Sequence, residues 1–195
     1  MARMKDETKR ENIMEAAKTL FARQGFFNTS ISDLVRETGF PVGTIYTYFK
    51  SKEEIIRTIV EEGWTDLYSR LEELVAAPGH PAAKIKEITG RFIPELLNDL
   101  DFITILLSEG IVYTRIEEKL EILTDLLISL IKSASKTHML LPGFNRATLQ
   151  TAVAVYFLGL LNTVKITRSS AIGIRVTDVL NFLELTIESS LNLEP

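Results

Sequence analysis

Residues 44–52 of this 195-residue chain crowd Thr44, Tyr46, Thr47, Tyr48 and Lys52 into one short stretch, with Ile45 and Phe49 set between them. Hydroxyls and an ammonium at such spacing are hydrogen-bond donors suited to gripping an anionic backbone. They are poorly suited to bond-breaking chemistry, because no activating base lies near them. The two histidines, His80 and His138, fall in or beside predicted loops with no partner four residues away, and no phosphate-cradling glycine loop or nucleophile elbow occurs. Cysteine is absent, which removes thiolate metal sites and disulfides. The expectation is a binding protein without catalysis, metal or cofactor.

The elements that must position these side chains are legible around them. Ile31, Leu34 and Val35 form one apolar helix face, Gly39 ends that helix, and Val42, Ile45 and Phe49 form the next. Two short helices across a glycine turn are a helix-turn-helix, which sets the start of its second helix in the major groove of DNA. On that geometry the hydroxyls of Thr44, Tyr46 and Tyr48 and the amine of Lys52 reach flanking phosphates, and Gly43 lets the backbone approach closely. Tyr46 and Tyr48 can also pack the small core while pointing their hydroxyls outward. Thr29 or Ser30 caps the first of the pair and is a further phosphate candidate.

A helix from about Lys5 to Gln24 precedes the pair, since Ile13, Ala16, Ala17, Leu20 and Phe21 repeat at helical spacing and Gly25 stops the run. Pro41 suits the first turn of the third helix. Ser51 followed by Glu54 reads as a capping box opening a long fourth helix to about Ala77, with the amides of its first turn turned towards phosphate. Arg3, Lys5, Lys9 and Arg10 are candidates for a basic arm or a solvated helix end.

Charge is divided along the chain. The formal net charge is −4, yet residues 1–52 carry nine Lys+Arg against six Asp+Glu, while residues 53–195 carry thirteen against twenty. The basic end is therefore the one presented to phosphates. With 46% hydrophobic residues the chain can fill a real core. The charged N-terminal stretch lacks the apolar region of a secretory signal, so a cytoplasmic location is expected.

Beyond the Pro78-Gly79-His80-Pro81 linker everything reads as helical, with helices near 82–98, 101–112, 114–137, 146–168 and 176–191. Ala147 to Val164 carries no charge, but Thr148, Gln150, Thr151, Asn162 and Thr163 leave an apolar run, Ala152 to Leu161, too short to span a bilayer. The fold class is all-α, about nine helices: a helix-turn-helix domain over 1–50 and a helical effector-binding and dimerisation domain over 51–195.

Ile13, Ala16-Ala17, Leu20-Phe21, Gly25-Phe26, Thr29-Ser30, Asp33-Leu34, Gly39, Gly43-Thr44, Ile45-Tyr46, Tyr48-Phe49 and Ser51-Lys52-Glu53 together resemble the signature of the TetR family of bacterial transcriptional regulators. The resemblance covers the first 55 to 60 residues. It implies a homodimer with a three-helix DNA-binding domain and a helical ligand-binding domain, acting as a repressor relieved by a small effector. Two positions depart from the family pattern. Pro41 stands where a small polar residue is usual, and Val42 replaces what is often a polar one; valine can contact a thymine methyl but not hydrogen-bond a base edge. The expected DNA-reading set is Thr29, Ser30, Val42, Gly43, Thr44, Tyr46, Thr47, Tyr48 and Lys52, with Arg36 and Lys50 as outside candidates. Specificity is expected to lean on apolar contacts, DNA shape and half-site spacing.

For the larger domain, Leu149, Val153, Tyr156, Leu160 and Val164 form one stripe and Val176, Leu180, Leu183, Ile187 and Leu191 another. Two copies of such a pair make a four-helix bundle, though the same stripes could pack within one chain. The resemblance implies an effector pocket among helices 82–98, 101–112 and 114–137. Trp64, Phe92, Phe102, Leu106, Tyr113, Leu123, Leu127 and Phe157 are candidates to line it, and Glu109 to anchor a cation, with an apolar effector as the default. Effector binding is expected to change the packing of helices five to seven against helix four and to swing the two reading heads. The alternative is a helical ligand- or lipid-binding protein whose N-terminal helices are an interaction module; a helical metal or haem enzyme comes third.

Overall fold

The structure is a computed structural model describing residues 6–108, 110–113, 115–134, 145–167, 173 and 175–191. Every element among the described residues is helical, and the chain divides into two compact units: residues 1–65 with 100–114, and residues 66–99 with 115–195. The division falls inside the fourth helix rather than at its start.

In the first unit, α1 (Glu7–Gln24) buries Ile13, Ala17, Leu20 and Phe21 and stops at Gly25, whose φ of 85° places it in the left-handed half of the map and whose N–H donates to the Phe21 carbonyl. Helix α2 (Ile31–Thr38) buries Leu34 and ends at Gly39, φ 69°, with its N–H on the Val35 carbonyl at 2.9 Å. Helix α3 (Val42–Tyr48) buries Ile45, with Phe49 following as a buried cap. Pro41 sits one position earlier than expected, at the N-cap, where its carbonyl accepts from the Thr44 N–H at 2.8 Å.

Helix α4 (Lys52–Ala76) begins as the sequence predicts: the Glu54 N–H donates to Ser51 Oγ at 3.2 Å. The return half of the box differs, because the Glu54 carboxylate accepts from the Lys50 N–H, one residue further back. Ile55, Ile56, Ile59, Val60 and Trp64 are buried.

The expected helix 101–112 is two helices, α7 (Leu100–Leu107) and α8 (Gly110–Tyr113). Ser108 ends α7, its N–H shared between the Thr104 and Ile105 carbonyls. Helix α7 lies against α1 and buries Phe102, Ile103, Ile105 and Leu106. It also approaches α4 so closely that a Cβ on Gly63 would meet the Phe102 ring at 2.5 Å.

In the second unit, the run expected as 82–98 holds α5 (Pro81–Glu87), one π-helical turn (Ile88–Phe92) and α6 (Ile93–Asn98). Pro94 accounts for the wide turn: it has no N–H for the Gly90 carbonyl four residues back, and the Ile93 N–H reaches Ile88 instead. Buried Lys84 donates to the Val75 carbonyl at 2.6 Å, placing a cation at the negative end of α4.

Helix α9 (Ile116–Ala134) packs on α10 (Arg146–Thr167), which packs on α11 (Val176–Leu191). Asn145 caps α10 by accepting from the Thr148 N–H at 3.0 Å, and Arg146 pairs with Asp125 of α9.

Leu149 and Leu160 are buried within the chain's own fold, Val153 and Leu180 are half-buried, and Tyr156 is exposed. The side chains of Val164, Leu183 and Ile187 lie outside the described ones. Among the described residues, the large apolar groups that face outward on these helices are Val155 and Tyr156 of α10, the latter in the expected stripe, and Phe182 and Leu185 of α11, between 43% and 68% exposed. None of the described helices is long and apolar enough to cross a membrane.

Candidate nucleic-acid interface

Ser30, and not Thr29, caps α2. Its hydroxyl accepts from the Asp33 N–H at 3.1 Å and donates to Asp33 Oδ2 at 2.7 Å, while its own N–H donates to the same carboxylate at 2.8 Å. These bonds, the hydroxyl's first, hold the Asp33 carboxyl below the usual carboxylate range, and Arg36 adds to them at 2.6 Å. Thr29 is 2% exposed and gives its proton to the Gly25 carbonyl at 2.7 Å. It therefore closes the loop after α1 and offers no surface to a phosphate.

Lys52 also turns inward. Its ammonium donates to the carbonyls of Phe26 and Thr29, both at 2.6 Å, and stands 4.2 Å from the centre of the Phe26 ring. Two of its three protons thus pin the start of α4 to the loop between α1 and α2. Phe26 is the hub of that loop: its buried ring meets Phe21 edge-on at 5.3 Å and Tyr113 of α8 at 5.5 Å.

Tyr48 is half-buried, and its hydroxyl accepts from the Asp6 N–H at 3.1 Å, tying the end of α3 to the start of α1. The N-terminal cations are likewise engaged. Arg10 pairs with Glu62 of α4 and with Glu7, and Lys9 pairs with Asp6 at 3.5 Å; Arg3 and Lys5 lie outside the described residues.

Ser30 at the start of α2 is exposed, and so is one face of α3. Val42 is 52% exposed and Tyr46 51%; Gly43 and Thr47 are exposed between and beside them, and Thr44 is half-buried. A Cβ on Gly43 would meet nothing within 4 Å. The Thr47 hydroxyl donates to the Gly43 carbonyl at 2.8 Å.

The pocket candidates are divided between the two units. Trp64, Phe102, Leu106 and Tyr113 belong to the first unit, where Phe102 and Leu106 are core and Tyr113 packs on Phe26. Phe92, Leu123, Leu127 and Phe157 belong to the second; Phe92 is buried beneath the Arg70 guanidinium at 5.3 Å, and the other three are half-buried. Glu109 lies outside the described residues.

Residues 13–59 match the family described as bacterial regulatory proteins, tetR family. The chain is 45% identical over 69 residues to the uncharacterized HTH-type transcriptional regulator YfiR of Bacillus subtilis, covering 35% of this chain and 33% of that one. It is 28% identical over 87 residues to the fatty acid metabolism regulator protein of the same organism, covering 45% of each. The chain thus spans a third to under half of the length of these curated relatives. Among solved structures, the fold is similar to that of the transcriptional regulator FadR from Bacillus subtilis in complex with stearoyl-CoA, with a TM-score of 0.72, 17% identity, and coverage of 95% of this chain and 100% of that one.

Proposed function

We propose, from the membership of residues 13–59 in the TetR family of bacterial regulators, that the protein is a DNA-binding transcriptional regulator. In this reading it acts as a homodimeric repressor on a pseudo-palindromic operator and is released by a small apolar effector. The observation that carries the reading is the outward face of α3: Val42, Gly43, Tyr46 and Thr47 are turned to solvent on a short helix whose other side is anchored by Ile45 and Phe49. Apolar groups grouped on one exposed helix face gain free energy when a partner takes them out of water, and the net positive charge of residues 1–52 suits a duplex.

Homodimerisation places a second head on the next turn of the duplex. Val155, Tyr156, Phe182 and Leu185 are the groups we assign to it, since two copies burying such a face form a four-helix bundle about a two-fold axis.

The effector signal in this reading enters through residues 100–113. Helix α7 packs on α1 and Tyr113 on Phe26, so this segment moves as part of the reading head. Fatty acids of graded chain length are the first effector probes, since they offer an apolar chain, with their CoA thioesters beside them because the similarly folded Bacillus subtilis FadR holds stearoyl-CoA.

The test is selection of duplexes from fragments of the host genome, followed by titration of the bound fragments at rising salt. The expected result is tight binding at low salt that weakens linearly on a logarithmic plot. Failure to retain any duplex at low salt would contradict the reading and favour a ligand-binding protein whose N-terminal helices contact another partner.

A further inference from the structure

We infer that each operator half-site is recognised through the 5-methyl groups of thymines, which seat on the ridge of Val42 and Tyr46 and in the gap that Gly43 leaves beside it. The inference rests on the DNA-binding reading above and names the chemical group that the α3 face selects.

Guanine and adenine are read in the major groove by bidentate donors, Arg or Lys on guanine and Asn or Gln on adenine. None of these four residue types occurs between Phe40 and Phe49. Arg36, the cation preceding the turn, is held at 2.6 Å by Asp33, which is itself fixed by the Ser30 cap. Lys50 follows the α3 cap at Phe49, beyond the end of the helix.

The Thr47 hydroxyl is turned aside as well, since it gives its proton to the Gly43 carbonyl, and the Tyr46 hydroxyl, at the tip of its ring, is the donor assigned above to phosphate. The face that remains for base edges is a valine side chain, the flank of a tyrosine ring one helical turn along, the exposed Thr47, and open space where a side chain at position 43 would stand. Among the groups that base pairs present in the major groove, the thymine methyl is the apolar one. A methyl seated against Val42 and the edge of Tyr46 leaves water, whereas cytosine or a purine at that place presents polar groups that gain no partner.

The experiment replaces thymines of the selected operator one at a time with deoxyuridine, which removes the methyl and keeps base pairing. Binding is measured by fluorescence anisotropy for the full chain and for Val42→Ala and Tyr46→Ala. The expected result is a loss of about four-fold in affinity at each contacted thymine. That loss should disappear at one position in Val42→Ala and at another in Tyr46→Ala, while circular dichroism stays unchanged.

Equal binding of the thymine and deoxyuridine duplexes overturns the inference while leaving the DNA-binding reading intact. A deoxyuridine penalty that persists undiminished in both variants assigns the effect to duplex shape and overturns it too. If no duplex binds at all, the broader reading fails and this one with it.

Discussion

The Lys52 ammonium donates to the Phe26 carbonyl at 2.6 Å across 26 residues of chain, so the first turn of α4 is bolted to the loop between α1 and α2. The same ammonium sits over the Phe26 ring, which Tyr113 of α8 touches from elsewhere in the unit. One lysine thereby joins the helix-turn-helix, the start of the long helix and the segment after α7. Lys52→Met, which keeps the stem and removes the donors, should destabilise the first unit by about 3 kcal/mol through two lost charge-assisted hydrogen bonds. Chemical denaturation checks this, and duplex binding should fall in proportion to the unfolded or loosened fraction. Unchanged stability with lost binding would instead assign Lys52 to phosphate contact.

Gly43 separates folding from binding. Alanine there meets open space and favours the helix, so Gly43→Ala should leave the fold unchanged or stabilise it by up to about 1 kcal/mol. Duplex affinity should nevertheless drop, because the added methyl stands where the backbone approaches the groove. Thermal melting together with operator titration reads both effects.

Gly63 behaves in the opposite way. Helix propensity favours alanine by roughly 1 kcal/mol, but its Cβ would lie 2.5 Å from the buried Phe102 ring. Overpacking wins, and Gly63→Ala should destabilise the chain by about 1–3 kcal/mol. The smaller side chain of Phe102→Leu in the same background should recover part of the loss, as measured by denaturant unfolding.

Asp33 gives the reading head an acid limb. Its folded carboxyl titrates below its ordinary value of 3.8, so the stabilisation by the Ser30 box is present above that value and is lost as pH falls through the folded one. Asp33→Asn should flatten the acid side of the stability profile. An unaltered profile between pH 5 and pH 2, an interval that spans the usual carboxylate range, would show that the box contributes nothing.

The three N-terminal helices were legible because their signals are local: Ile13, Ala17, Leu20 and Phe21 at helical spacing, glycines at 25 and 39, and Ser51 three residues before Glu54. Thr29 and Ser30 were not separable, since adjacent hydroxyls offer the same chemistry and the backbone path decides which one faces Asp33. Lys52 reads as an exposed cation until the fold brings two carbonyls to it.

The facing of the α10 residues was hard to read for a different reason. Ala152 to Leu161 is apolar on every side, so its pattern carries no phase, and Leu149, Leu160 and Leu161 turned to the chain's own core while Val155 faced outward. The contact of α7 with α1 joins residues some eighty positions apart and leaves no mark in local spacing. The break after α7 did have a signal, in Gly110 directly after it.

The most direct measurement is the affinity of the protein and of Tyr46→Ala for the same selected duplex, at low and moderate salt, with both proteins shown to melt alike. The account predicts at least a ten-fold weaker complex for the variant at each salt concentration, of the order expected for a lost groove contact, with a steep salt dependence in both. Equal affinities, or binding indifferent to salt, would contradict the claim that this face of α3 grips a duplex.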